Sequence, residues 1–174
     1  VVLDGGVLAV CPHYANNDSD LRHYVHDITF RNGARVYGCD VTVRAQQLCW
    51  KVEGSSPSYL DSRVWCWAQW VNTRLQFELD VDDVTDDAEP DFLVAKSFCL
   101  TTTSDDLYRA VTLTKKGAGT AHFAETFVMT NRPTRVVEGM LAFANGALSG
   151  KNDFVLAGGG LSFDAGGANA ANVL

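Results

Sequence analysis

Apolar residues at helical spacing are almost absent from this chain, and no stretch of about 18 or more apolar residues occurs, so neither a coiled coil nor a membrane-spanning helix can be built from it. A soluble chain is expected. Proline is rare at 4 residues and histidine equally so at 4, and none of the 5 cysteines sits in a C-x-x-C pair, which argues against a zinc ribbon. Basic surplus is also lacking. With 14 Lys and Arg against 21 Asp and Glu, the chain has no positive field for nucleic acid or an anionic membrane.

Catalytic signatures are missing in the same way. Gly146-Ala147-Leu148-Ser149-Gly150-Lys151-Asn152 is one residue short of a phosphate loop and ends in Asn. Gly117-Ala118-Gly119 has no third glycine for a dinucleotide turn, and no G-x-S-x-G marks a nucleophile elbow. His23 and His26 form an H-x-x-H, but on a strand residues three apart point to opposite faces, so no shared metal is expected. The reading is therefore no cofactor, no metal and no catalytic constellation.

What is present is 174 residues, 47% hydrophobic, with 15 Gly, 9 Phe and 4 Trp, enough for one domain with a real core. Seven acids (Asp80, Asp82, Asp83, Asp86, Asp87, Glu89, Asp91) fall in residues 80–91, leaving 14 acids against 14 bases elsewhere. That segment lacks the glycine and ligand pattern of an EF-hand and reads as a solvated loop suited to a basic partner surface. Cys11, Cys39, Cys49, Cys66 and Cys99 suggest one or two disulfides in an oxidising compartment, with at least one thiol left free or paired to another chain. The sequon Asn17-Asp18-Ser19 makes Asn17 a glycosylation candidate and agrees with a secreted, extracellular protein. The chain begins at Val1 rather than methionine, as a processed form or a trimmed piece would.

Period-two alternation predicts about ten strands: 23–30, 34–45, 48–53, 63–71, 74–81, 92–101, 108–114, 121–130, 135–144 and short pieces near 153–163. Arg74 to Val81 is the clearest, with Leu75, Phe77, Leu79 and Val81 on one face and Arg74, Gln76, Glu78 and Asp80 on the other. Asn32-Gly33 and Asn145-Gly146 are hairpin signals. An all-β, single antiparallel barrel over residues 23–165 follows, with a jelly-roll sandwich as the alternative, an irregular arm over 1–22 and a tail over 166–174. Trp50, Trp65, Trp67 and Trp70 are candidate pocket walls or stacking surfaces.

Three clusters resemble the dirigent and allene-oxide-cyclase barrel family. They are Leu21-Arg22-His23-Tyr24-Val25-His26-Asp27-Ile28, Arg44-Ala45-Gln46, and Gly158-Gly159-Gly160 through Phe163 with Ala165-Gly166. The resemblance implies an eight-stranded barrel whose open pocket steers coupling or cyclisation of a reactive small molecule, with Asp27 as the proton-exchanging group. The chain departs from that pattern in lacking the Asp-Asp strand and the Thr-Gly of the glycine motif.

Two functions are therefore expected from the sequence. The first is a secreted, disulfide-containing, non-enzymatic recognition protein of effector or virulence type that meets a host protein partner, using Trp65, Trp67, Trp70 and the acids Asp82, Asp83, Asp86 and Asp87. The alternative is a dirigent- or lipocalin-like barrel binding a small apolar ligand with Asp27, His26, Trp50, Trp65 and Trp67 lining its pocket.

Overall fold

The computed structural model describes residues 1–10, 23–38, 40–43, 47–66, 75–84, 90–100, 111–129, 132–150 and 152–164. The described strands form three parallel sheets of seven, seven and five, and all pairings among them are parallel. This overturns both the closed antiparallel barrel and the jelly-roll sandwich, and 19 strands among the described residues replace about ten. The chain winds as a β-solenoid of stacked rungs, the first five visiting the first, second and third sheet in turn and the last two, among the described strands, the first and second.

The first rung is Val2–Asp4, Val7–Val10 and His23–Val25, so part of the expected arm is built into the sheets. Below it lie Ile28–Arg31, Arg35–Gly38 and Val41–Val43, then Gln47–Glu53, Ser58–Asp61 and Val64–Cys66. The fourth is Leu75–Val81, Phe92–Val94 and Phe98–Leu100, and the fifth is Val111–Lys116, Thr120–Phe123 and Phe127–Met129. Thr134–Val136 with Met140–Phe143, and Phe154–Leu156 with Gly160–Phe163, complete the stack.

Alternation reports only that a strand has one buried face; whether the chain then reverses or turns a corner is decided elsewhere. Asn32 and Gly33 do adopt positive φ, 52° and 79°, but they bend the chain from the first sheet into the second instead of closing a hairpin. The Asn32 amide then ties three rungs together. Its Nδ2 donates to Asp4 Oδ1 at 2.7 Å, and its Oδ1 accepts from the Ser55 backbone N–H at 3.1 Å. Asn145-Gly146 likewise turns a corner, after which Leu148 bridges in parallel to Phe127. Corner packing is tight at Gly139, whose φ is 64° and where an added Cβ would meet the Gly117 and Gly119 carbonyl oxygens at 2.4 Å.

Parallel, in-register stacking turns each inward position into a column of like side chains. In the second sheet one column runs Leu8, Val36, Leu60, Val94, Phe123, Phe143, Phe163 without interruption. The Phe123 and Phe143 rings stack at 5.6 Å and the Phe143 and Phe163 rings at 5.7 Å. In the first sheet Leu48, Phe77 and Leu113 align, as do Ile28, Trp50 and Leu79. Trp50, Phe30, Phe77, Phe92, Phe98 and Phe127 are all buried and their rings contact one another across the interior. Each such ring contributes about 1.5–3 kcal/mol by leaving water. The interior is filled by these columns.

Lys115 interrupts the pattern. It occupies the inward column between Leu79 and Val136, yet it is fully buried. Its ammonium folds back to donate to the carbonyls of Lys116, of Gly117 at 2.7 Å and of Glu138 at 3.4 Å. Burial pushes its pKa down from 10.5 to about 8, with Asp80 and Glu138 opposing the shift.

Candidate binding groove

Outward positions of the first sheet also form columns, and these assemble a site. Gln47, Gln76 and Thr112 stand side by side near the strand starts. Two residues further along, Glu78 lies beside Thr114, Thr114 beside Arg135, and Arg135 beside Val155. With Arg132 and Pro133 these side chains line an open groove of about 680 Å³. Rungs are about 4.8 Å apart, so a groove running from the rung of Gln47 to that of Val155 extends over about 19 Å.

The groove mixes two chemistries. Gln47, Gln76, Thr112 and Thr114 offer amides and hydroxyls that both donate and accept. Arg132 and Arg135 offer fixed guanidinium forks. Glu78, the carboxylate among the lining residues, is held by Lys116 at 2.6 Å.

The arginines stand out against the rest of the described surface. Arg31 pairs with Glu53, Arg35 with Asp61 and Arg63 with Asp40; Lys51 pairs with Glu53 at 2.7 Å and Lys96 with Glu125 at 2.9 Å. Lys115 is held by carbonyls. Among the described residues, Arg132 and Arg135 are the lysines or arginines without such a partner, and both line this groove.

The residues singled out from the sequence are not brought together. Trp50 is sealed in the core, its Nε1 donating to the His26 carbonyl at 3.0 Å, so it walls no pocket. His26 and Asp27 are exposed at the entry to the second rung. The Asp27 carboxylate accepts the Cys49 backbone N–H at 2.7 Å, closing the edge of the ladder where Ile28–Arg31 begins. It does not line the groove. Trp65 is 40% exposed on the third sheet, with the Arg63 guanidinium 4.6 Å above its ring. Asp82 is half-buried and Asp83 exposed, at the corner between the first and second sheets. Asp91, from the same acidic run, is instead a buried staple, accepting from the backbone N–H of Val84 at 2.8 Å and of Thr120 at 2.6 Å.

Cys49 and Cys99 are free thiols on the outer faces of the first and third sheets. Burial, with Glu78 and Asp80 nearby, pushes the Cys49 thiol up to about 11, and burial also raises Cys99. Neither is a ready nucleophile. Cys11, Cys39, Asn17, Trp67, Trp70, Asp86 and Asp87 lie outside the described residues, as does the side chain of Cys66. No helix of the described residues is long and apolar enough to cross a membrane. Gln76 and Glu78 had been placed on an outward face by alternation, but the groove they belong to needs the register between rungs. No protein-family profile matches the chain, and neither a characterised protein nor a solved structure matches it.

Proposed function

We propose that this chain is a non-enzymatic recognition protein in which a rigid β-solenoid presents the outer face of its first sheet to an extended ligand. The observation that carries this reading is the groove itself, open, crossing several rungs, and holding Arg132 and Arg135, which have no ion-pair partner among the described residues. A solenoid suits the task, because a ladder fixed by backbone hydrogen bonds and aromatic columns positions side chains at a constant spacing without ordering cost on binding. The engagement of Glu78 by Lys116 supports binding over acid–base chemistry. The five cysteines and the Asn17 sequon support an extracellular setting for it.

Filling the groove tests the reading. The full chain is to be assayed against immobilised neutral and acidic polysaccharides and an unfolded polypeptide, beside Thr114→Trp in the groove and Val128→Trp on the third sheet. Loss of binding in Thr114→Trp with retention in Val128→Trp is the expected result. Equal binding by both variants would place recognition on another face.

A further inference from the structure

We infer that the ligand of this groove is an anionic glycan, a sugar chain bearing carboxylate or sulfate groups, gripped at one end by Arg132 and Arg135. The inference rests on the groove reading above and adds the ligand's chemistry to it.

Three observations lead there. First, guanidinium forks match planar or tetrahedral oxyanions bidentately, and among the described residues no carboxylate satisfies these two, unlike Arg31, Arg35 and Arg63. Arg132 is half-buried, so its charge is held in the groove without a partner. Second, apart from Glu78, whose charge Lys116 meets at 2.6 Å, the remaining polar lining groups are neutral amides and hydroxyls, with Gln47 beside Gln76 and Gln76 beside Thr112 across successive rungs. Their spacing of about 4.8 Å suits hydroxyls repeated along a sugar chain. Third, the floor is the middle of a sheet. The backbone groups of Leu75–Val81 are used by the strands on either side, so an extended polypeptide cannot add as a further strand and would leave its own amides unmatched.

The lining separates this ligand from nucleic acid. Single strands are held by a basic track along the backbone with aromatic side chains for the bases to stack on, and this groove offers two arginines at one end with amides and hydroxyls along the rest. Two cations at one end, beside four neutral groups and the Lys116-held Glu78, fit a chain that presents acidic groups to the arginines and hydroxyls along the rest of the groove.

The experiment titrates the full chain calorimetrically with hexagalacturonate, its methyl-esterified form and a sulfated heparin hexasaccharide, for the wild type, Arg132→Gln, Arg135→Gln and the paired-arginine control Arg63→Gln. The expected result is that the carboxylated or the sulfated chain binds, esterification weakens binding about tenfold or more, and Arg132→Gln or Arg135→Gln does the same while Arg63→Gln does not. Arg135 is exposed, so its variant folds even where Arg132→Gln does not. Equal affinity for the esterified chain, or acidic-chain binding that both groove variants leave intact, would overturn the inference. Binding of the esterified chain alone, lost in Thr114→Trp, would overturn the anion while leaving the groove reading standing. No binding of any of the three chains would overturn the glycan, with the groove then judged by the Thr114→Trp comparison on other polymers.

Discussion

Two stripes run side by side down the outer face of the first sheet, and they treat charge in opposite ways. Along the strand ends Asp80 stands in register between Lys51 and Lys116, Lys116 pairs with Glu78, and Glu53 gathers both Lys51 and Arg31. Along the strand starts Gln47, Gln76 and Thr112 are neutral, and in the next row, in register with Thr114, Arg135 is left without a partner among the described residues, as is Arg132 in the same groove. In a parallel stack every outward residue has a neighbour one rung above and one below, so opposite charges in register are consumed by the fold. Charges without such a neighbour remain available to something outside it. The paired stripe belongs to the scaffold and the unpaired one to the ligand.

The largest expected effect comes from beneath both stripes. Trp50→Ala empties an interior column the two share, and is expected to cost about 3–5 kcal/mol in urea unfolding. A loss far below that would mean the column packs loosely and the stripes are not carried on a rigid base. Separating the stripes is the next test. Arg135→Gln is expected to weaken acidic-glycan binding about tenfold while leaving the melting temperature unchanged. Glu53→Gln should do the reverse, lowering the melting temperature slightly and leaving binding alone. The Lys51 and Arg31 partners hold the Glu53 carboxyl below its ordinary range. Its contribution to stability is therefore present above that range and is lost as pH falls through it, and Glu53→Gln should flatten that acid limb.

Lys115 sharpens the contrast on the alkaline side. Its folded-state pKa of about 8 lies below the ordinary 10.5, so between those values the unfolded chain holds more protons than the folded one. Stability should rise with pH across that window and be insensitive to this group below it. Lys115→Met should remove the rise, as measured by urea midpoints from pH 7 to 10; a rise that persists would assign it to another group.

The sequence made some of this readable. Leu75, Phe77, Leu79 and Val81 are buried and Gln76 is exposed, as alternation along that strand requires. All-β character was equally plain. Parallel winding was not, because alternation is the same in a hairpin and in a solenoid. A clue did exist in Gly119, Gly139 and Gly159, each four residues before Phe123, Phe143 and Phe163, a spacing of 20 that stacks the three rings. Upstream the repeat is hidden. Register partners there lie 22 residues apart from Ile28 to Trp50, 29 from Gln47 to Gln76 and 36 from Leu75 to Val111. The groove was illegible for the same reason, since residues so far apart become neighbours only once the rungs are aligned. Asp27 shows the converse error. Its sequence neighbours suggested a pocket acid, while its partner in space is a backbone N–H at the edge of a ladder.

The measurement that bears most directly on the account is a titration of the full chain with hexagalacturonate followed by 1H–15N correlation spectra. The account predicts shift changes concentrated at Gln47, Gln76, Thr112, Thr114 and Arg135, with the other two faces silent. Changes centred on Trp65 and Cys99, or on Tyr37 and His122, with the first sheet unmoved, would contradict it.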